Sequence, residues 1–128
     1  MRVLKTKLHG CLDYVLGALL IAVPWAMNFD GGGAETWTPV ILGIAVIVLA
    51  LTTDYEAGVF RGVSMKAHLT MDLLIGALLG ISPWLFGFKD VVWAPHLVYG
   101  MMVMIASLMT KQHPSNKGTQ HRHTFDLH

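Results

Sequence analysis

The spacing of charged residues constrains this chain more than anything else in it. Nothing charged stands between Glu35 and Asp54, a gap of 18 residues, or between Asp90 and Lys111, a gap of 20. Two further gaps, Asp13 to Asp30 and Asp72 to Lys89, are 16 residues each. A helix needs about 20 apolar residues to cross a bilayer core, so the two longer gaps fit unaided. The shorter pair reaches that length only by adding a turn at the N-terminal side. That extension takes in His9 and Asp13 in one helix, and His68 and Asp72 in the other. Four spanning helices are therefore predicted, near 8–28, 36–53, 67–87 and 92–110.

Composition supports lipid as the solvent. Of the 128 residues, 54% are hydrophobic and 13% charged, with a mean hydropathy of +0.55. A soluble domain carries about a quarter charged residues, so too few polar side chains are present to cover a water-facing surface. The same figures, with a net charge of +1, exclude a disordered chain, a coiled coil and a nucleic-acid binder. Cys11 stands alone and forms no internal disulfide.

The first apolar run follows Arg2, Lys5 and Lys7, as a secretory leader would. Val23-Pro24-Trp25-Ala26 lacks the small-x-small cleavage pattern and Asp13 interrupts the run, so a retained helix is expected. Eight of the nine basic residues fall before helix 1, between helices 2 and 3, or after helix 4; only Lys89 falls on the other side. The positive-inside rule then predicts that both termini lie in the cytoplasm.

The two halves also align. At an offset of 59, Lys7, His9, Asp13, Gly17, Ala18, Leu19, Leu20, Pro24, Trp25 and Phe29 match Lys66, His68, Asp72, Gly76, Ala77, Leu78, Leu79, Pro83, Trp84 and Phe88. At 56, Trp37 and Pro39 match Trp93 and Pro95. The expected fold is all-α: a four-helix transmembrane bundle of two parallel-repeat helical hairpins, about 7–57 and 66–110, within a membrane domain 1–110. A polar, His-containing cytoplasmic tail, 111–128, follows.

The run Ile81-Ser82-Pro83-Trp84-Leu85-Phe86-Gly87-Phe88 ends a helix that opens with His68-xxx-Asp72. On these residues the chain resembles the SPW repeat family of small bacterial membrane proteins. The resemblance covers about 7–110 and implies two spans per repeat, with the motif in the first of them. Val23 stands where Ser82 does, so the serine hydroxyl is not required twice. The resemblance implies a fold and no activity.

Several residues invite a role. Pro24-Trp25 and Ser82-Pro83-Trp84 fall near the outer helix ends. There a proline frees a carbonyl, Ser82 can bond back to the backbone, and the indoles, with Trp37 and Trp93, form an aromatic belt. Gly17, Gly76 and Gly80, and the small pair Ala18-xxx-Ala22, suit close helix packing. His9-xxx-Asp13 and His68-xxx-Asp72 are the chemically interesting pairs, since residues four apart share a helix face. A carboxylate in hydrocarbon costs about 3 kcal/mol at mid-membrane. Pairing with the neighbouring histidine, aid from Lys7 or Lys66, and partial solvation at the cytoplasmic rim would offset it. The same four residues could instead form a proton or ion pathway, or a metal or haem site, His9 and His68 lying at equal depth. Met101, Met102 and Met104 read as core filling, and His96 as an interfacial hydrogen-bonding residue. The tail histidines, His113, His121, His123 and His128, are too scattered to make a site.

No nucleophile–base pair or phosphate loop is present, so an enzyme is not expected, and no cofactor is predicted beyond that metal or haem alternative. The leading expectation is a scaffold or accessory subunit in the bacterial cytoplasmic membrane, as a homo-oligomer or in a larger membrane complex. An oligomeric channel or transporter using the His–Asp pairs is the alternative, and a metal- or haem-binding protein the next.

Overall fold

The computed structural model describes residues 2–113, so His121, His123 and His128 of the tail lie outside the described residues. Among those described there are four helices: α1, Thr6–Ala26; α2, Ala34–Thr52; α3, Met65–Leu85; and α4, Ala94–Met109. Each expected helix is present, and α1, α2 and α3 are long and apolar enough to cross a membrane. α4 is shorter than expected, 16 residues, because Pro95 fixes its start and Thr110 turns extended at its end.

Local chemistry sets the boundaries. The Gly31-Gly32-Gly33 run breaks the chain before α2, where the Gly33 amide donates to the Glu35 carboxylate at 2.7 Å. Ser64 caps α3 by accepting from the Ala67 amide, a first-turn donor with no intrahelical partner. α1 and α3 both stop shortly after a proline. Pro83 has no N–H for the carbonyl four residues back, Leu79, and the Ser82 hydroxyl donates to that carbonyl instead, at 2.6 Å. Val23 offers α1 no such hydroxyl. Gly87, at φ +77°, then reverses the chain in a conformation that only glycine adopts freely.

Glycines set the packing within each hairpin. A Cβ on Gly43 would stand 2.7 Å from the Gly17 carbonyl oxygen; one on Gly100 would stand 2.5 Å from that of Gly76 and 2.6 Å from the Gly80 amide nitrogen. Backbones this close gain dispersion contact without a hydrophobic drive, as helices in lipid must. Gly17, Gly76 and Gly80 pack as expected, and inside the hairpins. Ala18 and Ala22 do not: both are exposed on the outer face.

Leu20, Leu42, Val46, Ile75 and Leu79 form the apolar centre where the hairpins meet. The outward faces are apolar too, with Ile41, Ile44 and Val48 on α2 and Val98, Ile105 and Leu108 on α4 all exposed. Met101 and Met102 belong to this surface, not to the core, because the α4 positions that face inward are His96, Gly100, Val103 and Ser107. Trp25, Trp37, Trp84 and Trp93 are each about half exposed where α1 and α3 end and α2 and α4 begin, as an aromatic belt requires.

At the other end, two short extended segments join the hairpins. Leu4 pairs with Thr110, and Val63 with Thr53. The Leu4 amide donates to the Met109 carbonyl at 2.7 Å and the Leu4 carbonyl accepts from the Lys111 amide at 2.8 Å. Arg2 adds two donations, to the Ser107 and Thr110 carbonyls at 3.0 and 2.8 Å, placing a cation on the negative end of α4.

Candidate functional site

α1 and α3 each bring a His and an Asp, one turn apart, to the inside of the bundle. The four side chains meet. His9 Nε2 lies 2.8 Å from Asp72 Oδ2 and 3.2 Å from Asp13 Oδ1; His68 Nε2 lies 2.8 Å from Asp13 Oδ2 and 3.1 Å from Asp72 Oδ2. The shorter contact of each histidine is to the aspartate of the other helix. The expected pairing within one helix is thus only the longer half of a crossed arrangement. The two imidazoles stand edge to face, their centroids 5.3 Å apart.

The expected rim solvation is corrected. His68 and Asp72 are fully buried, His9 is 2% exposed and Asp13 7%. Lys7 and Lys66 are exposed and take no part. Apolar side chains and a loop tyrosine enclose the cluster. Tyr55, from the segment between α2 and α3, lays its ring 5.5 Å from that of His68 and is itself 2% exposed. Burial holds the Tyr55 phenol above its ordinary pKa, the nearby Asp13 and Tyr14 adding to the effect. Gly10 makes room for this ring, since a Cβ there would stand 2.6 Å from it.

Each imidazole is also held from behind. His9 Nδ1 lies 2.7 Å from Thr110 Oγ1, and His68 Nδ1 2.7 Å from Thr53 Oγ1. Both hydroxyl protons are committed elsewhere: Thr110 donates to the Ala106 carbonyl at 2.5 Å, Thr53 to the Leu49 carbonyl at 2.6 Å. Each threonine oxygen can therefore only accept, which fixes a proton on both Nδ1 atoms and turns both Nε2 atoms toward the carboxylates. Reasoning from sequence did not find Thr53 and Thr110. A signal was present, since each ends an apolar run 57 residues from the other.

The remaining expected residues fall elsewhere. His96 is at the opposite end, 1% exposed, its Nε2 3.0 Å from the Glu35 carbonyl oxygen and its ring between those of Phe29 and Phe88. It hydrogen-bonds as expected, but as a buried tie between hairpins instead of an exposed side chain. Pro24, Trp25, Ser82, Pro83 and Trp84 lie at that end too, well removed in sequence from the cluster. The cluster's own end is basic, with a cleft of about 430 Å³ lined by Lys5, Thr6, Lys7, Glu56, Lys111 and His113.

The fold and this cluster together define a small helical membrane protein with a dry His–Asp centre. The SPW repeat domain matches the chain over residues 7–110, both hairpins together, and the protein belongs to that family. Comparison with curated proteins and with solved structures finds no match.

Proposed function

We propose that this protein is a non-enzymatic scaffold or accessory subunit of a larger assembly in the bacterial cytoplasmic membrane, with both termini in the cytoplasm. The observation that supports this is the destination of its buried polar side chains. His9, Asp13, His68, Asp72, Thr53, Thr110 and His96 all make contacts from one hairpin to the other or anchor groups that do. Polar chemistry thus holds the bundle together, while the faces offered to neighbours are apolar helix surfaces. Such faces recognise lipid or other spanning helices. Enclosure of the cluster by apolar side chains favours a static centre over an ion pathway. The excess of basic residues at the cluster's end supports the assigned orientation.

The test is to cross-link the protein in intact membranes and then determine the mass of the gently solubilised particle. A defined species larger than one chain, either a homo-oligomer or a complex with a reproducible partner, is expected. Monomers alone would sink the proposal. Reporter fusions at each terminus check orientation, and activity of a periplasm-specific reporter would reverse it.

A further inference from the structure

The His9–Asp13–His68–Asp72 cluster has the donor set, tautomers and enclosure of a metal centre. Its ligand atoms, one per residue, all lie within 4.8 Å of one another. Two imidazole nitrogens and two carboxylate oxygens suit a divalent ion of borderline softness in four-coordinate geometry. Bonds of about 2.0–2.1 Å at a tetrahedral centre separate neighbouring ligand atoms by about 3.3 Å. The observed nitrogen–oxygen separations of 2.8–3.2 Å are within about half an ångström of that, and the set as a whole, spread over as much as 4.8 Å, closes further around an ion.

Three independent observations go beyond the presence of the four residues. Metal-bound histidines donate their second N–H to a fixed acceptor, and here both do, to Thr53 and Thr110. Next, fully buried His68 Nε2 and Asp72 Oδ1 have no hydrogen-bond partner, nor has Asp13 Oδ2. His68 Nε2 is 2.8 Å from Asp13 Oδ2, yet the two do not meet in hydrogen-bonding geometry. The His9 Nε2–Asp72 Oδ2 contact does have that geometry, at 2.8 Å, so the unpartnered atoms lie on the His68 and Asp13 side of the cluster. Last, a crevice of about 10 Å³ opens onto His9, Asp13 and Asp72 and is otherwise walled by Leu12, Leu16, Leu20 and their neighbours. That is close to the volume one water or small ion occupies.

Charge agrees as well. Once an ion takes the place of any Nε2 proton, two carboxylates and two neutral imidazoles carry −2, which a divalent cation cancels, so no net charge is left in the low-dielectric interior. A monovalent or trivalent ion leaves a residue of one. We propose that His9, Asp13, His68 and Asp72 bind a single divalent transition-metal ion of the zinc class, bridging α1 and α3, with Thr53 and Thr110 as positioning residues. The site is closed, with all four positions supplied by protein, as structural zinc sites are. The assignment is independent of whether the protein has partners.

The experiment uses the full-length protein in detergent, stripped with chelator and titrated with Co²⁺ or Zn²⁺ while helicity is followed by circular dichroism. One equivalent of Co²⁺ is expected to give the intense visible absorption of a four-coordinate ion, displaced by Zn²⁺. X-ray absorption of the zinc form should show two imidazoles and two oxygens. Replacing His113, His121, His123 and His128 together by Ala should leave stoichiometry and spectrum unchanged. Thr53→Val or Thr110→Val should weaken binding by about 10–100-fold with the spectrum retained. A helical parent chain that takes up no metal overturns the proposal. So does a six-coordinate spectrum, or binding that disappears with the tail histidines.

Discussion

His9 Nδ1 and Thr110 Oγ1 are 2.7 Å apart although 101 residues separate them, and His68 and Thr53 repeat that contact across 15. Each imidazole is thus oriented by the C-cap residue of a helix other than its own. The two contacts are alike in distance and burial, so equal effects are expected on breaking either. Thr110→Val and Thr53→Val should each cost about 1–3 kcal/mol by leaving a buried N–H without its acceptor. The double variant should depart from the sum, because both act on one cluster. Thermal unfolding in a mild detergent measures all three.

Removing a carboxylate should be worse. Asp72 is 2.8 and 3.1 Å from the two Nε2 atoms with no exposure to water. Asp72→Ala removes from a dry site the carboxylate that both Nε2 atoms share, and a loss of about 3–5 kcal/mol is expected. Asp90→Ala, at a side chain 92% exposed, should change stability by less than about 0.5 kcal/mol.

Glycine positions separate by what their Cβ would meet. Gly100→Ala drives a methyl to 2.5 Å from a backbone oxygen and should destabilise by about 1–3 kcal/mol, with the α3–α4 hairpin splayed. At Gly62 the nearest atom is 3.9 Å away and φ is not in the left-handed region, so Gly62→Ala should be silent. The comparison is read from unfolding curves and from cross-linking between α3 and α4.

The four tryptophans offer a depth measurement. All stand half exposed at one end, with Trp84 and Trp93 centroids 6.3 Å apart. In vesicles, lipids brominated near the headgroup should quench their fluorescence more strongly than lipids brominated near the chain end. The opposite order would show that this end is not at the interface.

Tyr55 carries the pH prediction. Its phenol is held up by burial, so the folded state keeps a proton that the unfolded chain releases at about pH 10. Its contribution to stability is complete below that pH and is lost above it, as ionisation increasingly favours the unfolded chain. Tyr55→Phe should flatten this alkaline decline. At neutral pH it should be neutral or mildly stabilising, because the buried hydroxyl has no hydrogen-bond partner. Melting temperatures between about pH 8 and pH 11 test both.

The architecture was legible because lipid imposes a coarse rule: a span must be long and free of charge. The gap from Glu35 to Asp54 therefore located α2 within two residues, and the 59-residue offset put His9 and His68 at matching positions. Three-dimensional crossing was not legible. Spacing of four shows that His9 can reach Asp13; it carries no information on whether Asp72 comes closer from across the bundle. Thr53 and Thr110 escaped because a threonine ending an apolar run is ordinary until a ring is found behind it. Gly43 and Gly100 escaped for a related reason, since close approach belongs to two helices and a one-dimensional pattern describes one. Ala18 and Ala22 misled because small size was taken for packing while their place on the helix turned them outward.

The extended pairing of Leu4 with Thr110 has a bearing on biogenesis. A ribosome delivers α1 to the bilayer long before α3 and the end of α4 exist, so His9 and Asp13 enter the membrane with only each other, ahead of the shorter contacts that Asp72 and His68 supply and of the Thr110 hydroxyl. Until the second hairpin arrives, the first is an incomplete half carrying an acid in oil. A fragment stopped after α2 lacks Asp72, His68 and Thr110, and with them the shorter contact of each charged group and the orienting hydroxyl of His9.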